Sequence, residues 1–226
     1  MRVSEVLTRR LLPRAVVAES RVDAVARLSA AARRRLARRG RVELYFAFDD
    51  PSSAVAVLDL TERLREHDVD FMLLPVVDRG IPDDPATELK RRYGFTDARR
   101  LAKRQGLTLS RAEPWDPVAA NLLAEWVACA PQGAALTRFC VEAMRRLWFD
   151  IEGRGQPDLG ALWREELGGE LRLDGARRVR RNQRRMRLRG IYDVPAAWVH
   201  GQWFFAHDRP AQIEQRLNDL GWTAAG

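Results

Sequence analysis

Two apolar runs dominate the first third of the chain, and the segment between them has apolar residues at helical spacing. Residues 42–48 form a near-continuous apolar and aromatic run and residues 69–77 form a second, a pattern typical of strands buried on both faces. Between them Asp50 stands directly before Pro51. This pair favours a helix start, because Asp caps free backbone N–H groups and proline fits the first helical position. Residues 42–77 are therefore predicted to form a β-α-β unit with a parallel pair of strands.

The pattern then becomes helical from about residue 85 to residue 190. This stretch is too long for a crossover connection, so it is predicted to be a helical insertion. Strand-like runs return at 196–199 and 203–205, on either side of His200-Gly201-Gln202, which predicts a β-hairpin. The predicted organisation is a basic helical leader at 1–41, one α/β domain built from 42–84 and 191–226, and an insertion subdomain at 85–190.

The leader combines apolar positions at helical spacing with many arginines. The apolar set is Val22, Val25, Leu28, Ala32 and Leu36. One interpretation is a peripheral arm that binds an acidic membrane surface or a nucleic acid. The other is a solvated helix packed on the domain or on a second subunit, and the lack of large aromatic residues on this face favours it.

The chain is strongly basic, with a net charge of +8 over 226 residues, but nearly all of its basic residues are arginine. Such a skew reflects coding bias as readily as function, so no specific nucleic-acid partner is expected. A second arginine run lies at 177–189 and is interpreted as a solvated helix face. An anion-binding wall and a nucleic-acid surface remain alternatives, although the run lacks the aromatic residues that stack on single strands.

Neither a membrane-spanning segment nor a secretory signal is evident, so a cytoplasmic location is expected. No segment approaches about 18 uninterrupted apolar residues, and residues 1–19 lack an apolar core. The cysteines, Cys129 and Cys140, lie in an apolar helical stretch with no His or acidic cluster at ligand spacing. They are expected to be buried thiols, and no metal site is predicted. His67 and His200 are expected to lie at the surface.

A set of short motifs accompanies this order of elements. The motifs are Asp50-Pro51-Ser52-Ser53 after a buried strand, Asn182 on the last insertion helix, Asp193-Val194-Pro195, and Ala206-His207-Asp208-Arg209. Together they resemble the DsbA-like thioredoxin family, and within it the branch of 2-hydroxychromene-2-carboxylate isomerases and kappa-class glutathione transferases. The resemblance covers about residues 42 to 220 and implies an α/β thioredoxin fold with a large all-helical insertion.

The resemblance assigns the first part of a site to the corner where the strand meets the helix. Asp50 takes the position of the branch's catalytic serine, Ser53 matches a second serine, and Ser52 replaces a tyrosine. Three roles stay open: Asp50 is only a helix cap, Asp50 is a general base or hydrogen-bond acceptor, or the serines take over ligand binding. An Asp at a helix N-terminus normally has a depressed pKa, which would make Asp50 a weak base near pH 7.

The resemblance assigns the second part of the site to segments near the end of the chain. It implies that Pro195 is cis, that the backbone of Val194 pairs with an extended ligand such as glutathione, and that Asp208 receives the ligand's α-amino end. Asn182 looks like the branch's helix asparagine. His207 lies at a ligand-facing position, where it can donate to a carboxylate or act as an acid–base partner.

The implied function is binding of glutathione or a small organic acid at this corner. The implied reaction is a glutathione-dependent isomerisation or transfer, and the implied partners are a small-molecule ligand and a second copy of the chain. Dithiol redox chemistry is excluded, because disulfide exchange needs a sulfur at the corner and the sequence has none there. A degenerate binding protein, with Asp50 only a cap, is the alternative.

Overall fold

The computed structural model describes residues 23–149, 157–169 and 175–223. These residues form a four-stranded sheet with helices on both faces. The helices are α1 (Asp23–Arg35), α2 (Pro51–Arg63), α3 (Thr87–Arg104), α4 (Pro117–Cys129), α5 (Ala134–Trp148), α6 (Leu159–Glu166), α7 (Ala176–Leu188) and α8 (Pro210–Asp219). The strands are β1 (Gly40–Phe46), β2 (Val69–Pro75), β3 (Ala196–Val199) and β4 (Gln202–Phe205).

The strands lie in the order β2-β1-β3-β4. β1 pairs in parallel with β2 and antiparallel with β3, and β3 and β4 form the predicted hairpin. This topology is the thioredoxin fold, with α3 to α7 inserted between β2 and β3. The predicted β-α-β unit is confirmed, but β1 and β2 end at Phe46 and Pro75, before the ends of their apolar runs. Ala47 and Phe48 leave the sheet and lead into α2, whereas Val76 and Val77 lead into the loop after β2.

Both faces of β1 are buried, which explains its continuous apolar sequence. Leu44 and Phe46 join the larger core on the side of α2 and α5. Tyr45 and Ala47 join a smaller core on the opposite side, where Met186 of α7 is fully buried. The sheet is therefore a middle layer between α2 and α7, and the residues that leave β1 emerge between these helices.

Side chains of the insertion fix both the edge of the sheet and the corner. Gln132 accepts a hydrogen bond from the N–H of Leu73 at 2.9 Å and donates one to its carbonyl at 3.0 Å. It thereby occupies backbone groups on the open edge of β2, which would otherwise be free to pair with another strand. Trp148, at the end of α5, donates its indole N–H to the carbonyl of Phe48 at 3.0 Å. The insertion thus holds the backbone just before the corner.

The hairpin turn has the conformation that a two-residue connection needs. His200 and Gly201 both have positive φ, at 39° and 92°, as a primed turn between twisted strands requires. The expectation of an exposed His200 is wrong, because its ring stacks on Trp222 at 4.6 Å and burial lowers its pKa to about 4. His67 is also buried, not on the surface, because α2 ends just before it and the chain turns directly into β2.

The part of the leader that the structure describes begins at α1, and residues 1–22 lie outside it. α1 packs on the domain through Ala26 and Ala30, as one interpretation expected. The apolar positions Val25, Leu28 and Leu36 do not face the domain, however, and are exposed. The small alanines allow the helix to approach the core closely, and this turns the larger apolar residues outward. Among the described ranges, no helix is long and apolar enough to cross a bilayer.

The interpretation of the second arginine run as a solvated face is wrong in part. Glu43 of β1 is 1% exposed, and Arg185 and Arg189 of α7 both form ion pairs with it. Arg41 approaches Glu43 at 3.0 Å from the same strand, and Tyr45 donates its hydroxyl to Glu43 at 3.1 Å. Burial, with Glu43 close by, raises the pKa of Tyr45, so its hydroxyl stays a donor. α7 is anchored to the sheet by this buried carboxylate.

Arg189 also lies over the ring of Trp198 at 4.4 Å, so residues 185 and 189, one helical turn apart, share the inner side of α7. The other arginines of the run face solvent. The exposed arginines are Arg177, Arg178, Arg180, Arg181, Arg184 and Arg187.

Candidate functional site

The candidate site lies at one edge of the sheet, where three strands meet. Phe46 pairs with Pro75 at the carboxyl ends of the parallel strands, and Tyr45 pairs with Ala196 at the start of β3. The N-terminus of α2, the loop after β2 and the Val194–Pro195 segment are therefore brought together. Ala206 donates its N–H to the carbonyl of Pro195 at 2.9 Å, which places the segment after β4 beside them.

Asp50 caps α2 and accepts two hydrogen bonds from Ser53. Ser53 donates its backbone N–H at 2.8 Å and its hydroxyl at 2.6 Å to the same oxygen, Asp50 Oδ2. The Ser53 oxygen also accepts the N–H of Ala47 at 3.1 Å. Ser53 is fully buried, so its hydroxyl joins the strand end to the helix cap and is not presented to a ligand. Ser52 is nearly buried as well.

The pKa of Asp50 is raised, which overturns the expectation of a depressed pKa at a helix N-terminus. Loss of hydration is the largest cause and acts against the charged form. The nearby charge of Arg79 and the hydrogen bonds from Ser53 act the other way, but they do not cancel it. A carboxyl group whose protonated form is favoured in this way is better placed to exchange a proton near neutral pH than an ordinary Asp.

Arg79 is a site residue that sequence reasoning missed. Its guanidinium binds Asp49 through two bonds, at 2.5 and 3.0 Å, and it also interacts electrostatically with Asp50 and Asp193. The Arg79 side chain is 24% exposed, so it is partly open to solvent. The sequence signal was the Asp-Arg-Gly that directly follows the second strand, since polar residues at the carboxyl end of a strand gather at the same edge.

The Val194–Pro195 peptide bond is cis. The backbone N–H of Val194 donates to Oδ1 of its neighbour Asp193 at 2.9 Å. This N–H belongs to the backbone that the sequence resemblance assigned to an extended ligand, and in this chain a side chain already occupies it. A peptide-like ligand must displace Asp193 to use that donor.

Asn182 supports the site from behind. Its side-chain amide donates to the carbonyl of Pro75 at 3.1 Å. The next residue, Gln183, is buried and accepts the N–H of Asp78 at 3.3 Å. Both side chains of α7 therefore hold the end of β2 and the loop that carries Arg79.

His207 lies near Asp50, close enough for the two groups to interact electrostatically. His207 is half-buried, and its Nδ1 is buried without a hydrogen-bond partner. Phe205 approaches its ring at 6.1 Å and belongs to a group of edge-on aromatic contacts with Tyr192 and Trp203. Asp208 is exposed, so the structure does not bring it into the enclosed part of the corner.

The arrangement offers a partly exposed cation, a carboxyl group with a raised pKa and an imidazole, next to aromatic rings. Such a set can pair with a small carboxylate and exchange a proton with it. In the described ranges, no three His, Cys, Asp or Glu side chains converge as a metal site. The cysteines are buried in the insertion helices, away from the corner.

Comparisons with known proteins support the fold. No protein-family model matches the chain, and no curated protein matches it. A solved structure of a 2-hydroxychromene-2-carboxylate isomerase is similar to it, with a TM-score of 0.64 and 19% sequence identity. The similarity covers 80% of this chain and 95% of the isomerase. It confirms the DsbA-like thioredoxin fold that the sequence motifs implied.

Proposed function

We propose that this protein binds a small organic acid at the corner formed by the start of α2, the Val194–Pro195 segment and His207. The observation that carries the proposal is the position of Arg79. It lies among Asp49, Asp50 and Asp193 at the edge of the sheet, and its side chain is 24% exposed. A carboxylate ligand can approach that exposed side without entering the buried core.

Glutathione is the second ligand that the fold resemblance implies, and two features of the corner weigh against it. The N–H of Val194 is bound to Asp193, and the start of α2 is capped by Asp50. A thiolate at the helix N-terminus would meet the Asp50 carboxylate when that group is ionised. A small carboxylate that pairs with Arg79 and His207 needs neither the N–H of Val194 nor a thiolate position at the start of α2.

The proposal excludes thiol chemistry by the protein itself. The chain has two cysteines, and burial raises the pKa of Cys140, which suppresses its thiolate. Proton transfer within a bound organic acid needs no sulfur. Asp50 and His207 are the titratable pair in position for it, and an isomerisation would use Asp50 as the proton carrier.

Calorimetry with 2-hydroxychromene-2-carboxylate and with glutathione tests the proposal. We expect heat of binding with the carboxylate, and at least a ten-fold weaker affinity in Arg79→Gln, a loss of about 1.4 kcal/mol. Arg91→Gln is the control, since Arg91 pairs with Glu88 on α3, an exposed helix surface. Absence of heat at millimolar ligand with folded protein would overturn the proposal, as would equal affinities in the two variants.

A degenerate binding protein without turnover is the second candidate. The hydrogen bonds that Asp50 and Ser53 form with each other favour it. Asp50 Oδ2 and the Ser53 hydroxyl have hydrogen-bond partners within the chain, as a purely structural cap requires. Conversion of the same carboxylate, followed by absorbance with and without glutathione, separates the two candidates. Turnover that Asp50→Asn removes without weakening binding supports the enzyme, whereas binding without turnover supports the degenerate protein.

A further inference from the structure

The outer face of α1 is an apolar stripe in solvent. Val25, Leu28 and Leu36 are 68%, 72% and 65% exposed, and Ala32 between them is exposed as well. On a helix these positions fall within one narrow arc, because they recur every three or four residues. A soluble helix normally turns such an arc toward the core, so this one has the opposite orientation.

The orientation of α1 is fixed from its inner side. Ala30 is fully buried against the domain, and Ala26 packs beside it. Arg34 donates to the carbonyl of Leu220 and lies over the ring of Trp222 at 5.9 Å. Turning the stripe inward would break these contacts and force larger side chains into the space of the alanines. Within the described ranges the stripe therefore stays exposed.

The segment that carries the stripe is rich in arginine, although Asp23 opens the helix and Arg39 pairs with Asp68 and Asp70. Between residues 24 and 39 the sequence has no acidic residue, and its arginines are Arg27, Arg33, Arg34, Arg35, Arg38 and Arg39. Both Arg35, the last residue of α1, and Arg38, in the connection that follows it, are exposed. A second copy of α1 on this face would bring arginines together and is disfavoured by their repulsion. A nucleic acid would match the charge, but would gain nothing from the valine and leucines.

We propose that α1 docks the protein on an anionic lipid surface, with Val25, Leu28 and Leu36 entering the interfacial layer and Arg35 and Arg38 contacting the head groups. Such helices bind through their buried apolar area together with attraction to anionic lipid. Arginines near the surface strengthen this attraction. With three large apolar residues the docking is reversible, and it depends on both contributions.

Co-sedimentation of the full chain with vesicles tests this proposal. We expect binding to phosphatidylserine-containing vesicles and at least ten-fold weaker binding to pure phosphatidylcholine. Raising the salt from about 0.1 M to about 1 M should also weaken binding, because it shortens the screening length from about 10 Å to about 3 Å. No binding of the folded protein to either vesicle would overturn the proposal.

Two pairs of variants separate the apolar and the charged contributions. The double variants Val25→Ser/Leu28→Ser and Arg35→Gln/Arg38→Gln should each reduce binding to anionic vesicles at least ten-fold. All four residues are exposed, so the unfolding midpoint in urea should stay within error of the parent.

Matched controls lie on other helices. Val118→Ser/Leu122→Ser changes two exposed apolar residues of α4, and Arg91→Gln/Arg92→Gln changes two exposed arginines of α3. Both should bind as the parent does. Equal losses in controls and test variants would overturn the proposal, as would full binding by Val25→Ser/Leu28→Ser. The proposal would also be overturned if the parent formed a dimer in analytical ultracentrifugation and Val25→Ser/Leu28→Ser did not. That result would assign the stripe to self-association.

Discussion

Ser53 donates both its backbone N–H and its hydroxyl to one oxygen of Asp50, at 2.8 and 2.6 Å. The same hydroxyl oxygen accepts the N–H of Ala47. The end of β1 and the start of α2 are thus joined through one buried side chain. The geometry of the corner depends on Ser53, although this residue lies out of reach of a ligand.

Ser53→Ala should destabilise the protein by about 1–3 kcal/mol, because it leaves the buried N–H of Ala47 without a partner and removes one donor to Asp50. Urea denaturation measures the change. Ser52→Ala is the matched control on the same helical turn and should cost clearly less. Equal costs for the two variants would show that Ser53 does not hold the corner.

Asp50→Asn should change the pH dependence of stability. Because the folded-state pKa of Asp50 is raised above 3.8, the folded protein prefers the protonated group. The stability that this preference contributes is fully present below pH 3.8 and is lost as pH rises through the folded pKa. The unfolding free energy of the parent minus that of Asp50→Asn should therefore fall with rising pH, by up to about 1.4 kcal/mol per pH unit, and then level off.

Asp84→Asn supplies a control of opposite sign. The hydrogen bond from Lys90 lowers the pKa of Asp84 in the folded protein. The stability that ionised Asp84 contributes is therefore present above its unfolded-state pKa. It is lost as the pH falls through the folded-state pKa. The parent-minus-variant difference should rise with pH in this case. Urea denaturation across a pH series measures both, and a rising difference for Asp50→Asn would contradict its raised pKa.

Glu43→Gln should be among the most destabilising single changes in the sheet, at about 3 kcal/mol. It removes the carboxylate from Arg185, Arg189 and Arg41 and leaves their charges without a counterion beside the core. Combining it with Arg189→Met should cost less than the sum of the two single changes, because both remove the same contact. Glu142→Gln is the control: its pair with Arg146 lies at the surface and is worth less than about 1 kcal/mol. Urea denaturation of all four variants checks this, and additive costs would contradict it.

Asp193→Gly should increase the affinity for glutathione by about ten-fold, because it frees the N–H of Val194 for a ligand. Asp193→Asn keeps an oxygen in the same position and should leave the affinity near that of the parent. Calorimetry with glutathione distinguishes them. If both variants bind equally, the hydrogen bond from Val194 to Asp193 does not limit the ligand.

The candidate site was only partly predictable. The Asp-Pro pair indicated the cap at Asp50 because that interaction is local, spanning three residues. The buried environment that raises the pKa of Asp50 was not predictable, and neither was the position of Arg79, which lies 29 residues further along the chain than Asp50. Both depend on the sheet bringing strand ends together. Asp193 and Val194 were named, but the hydrogen bond between them is a feature of the folded backbone.

The elements and their order could be predicted from the amino-acid sequence. Local patterns specify strands, caps and the hairpin turn, since each depends on neighbouring residues and on a period of two or 3.6. Which faces of these elements are buried depends on how they pack in the complete fold. The fold turned Val25 and Leu28 of α1 outward because the smaller Ala30 fits closer to the core, and it used Arg185 and Arg189 to neutralise a carboxylate from a distant strand. Packing distance and pairing of buried charge are properties of the whole fold, and no short stretch of the chain specifies them.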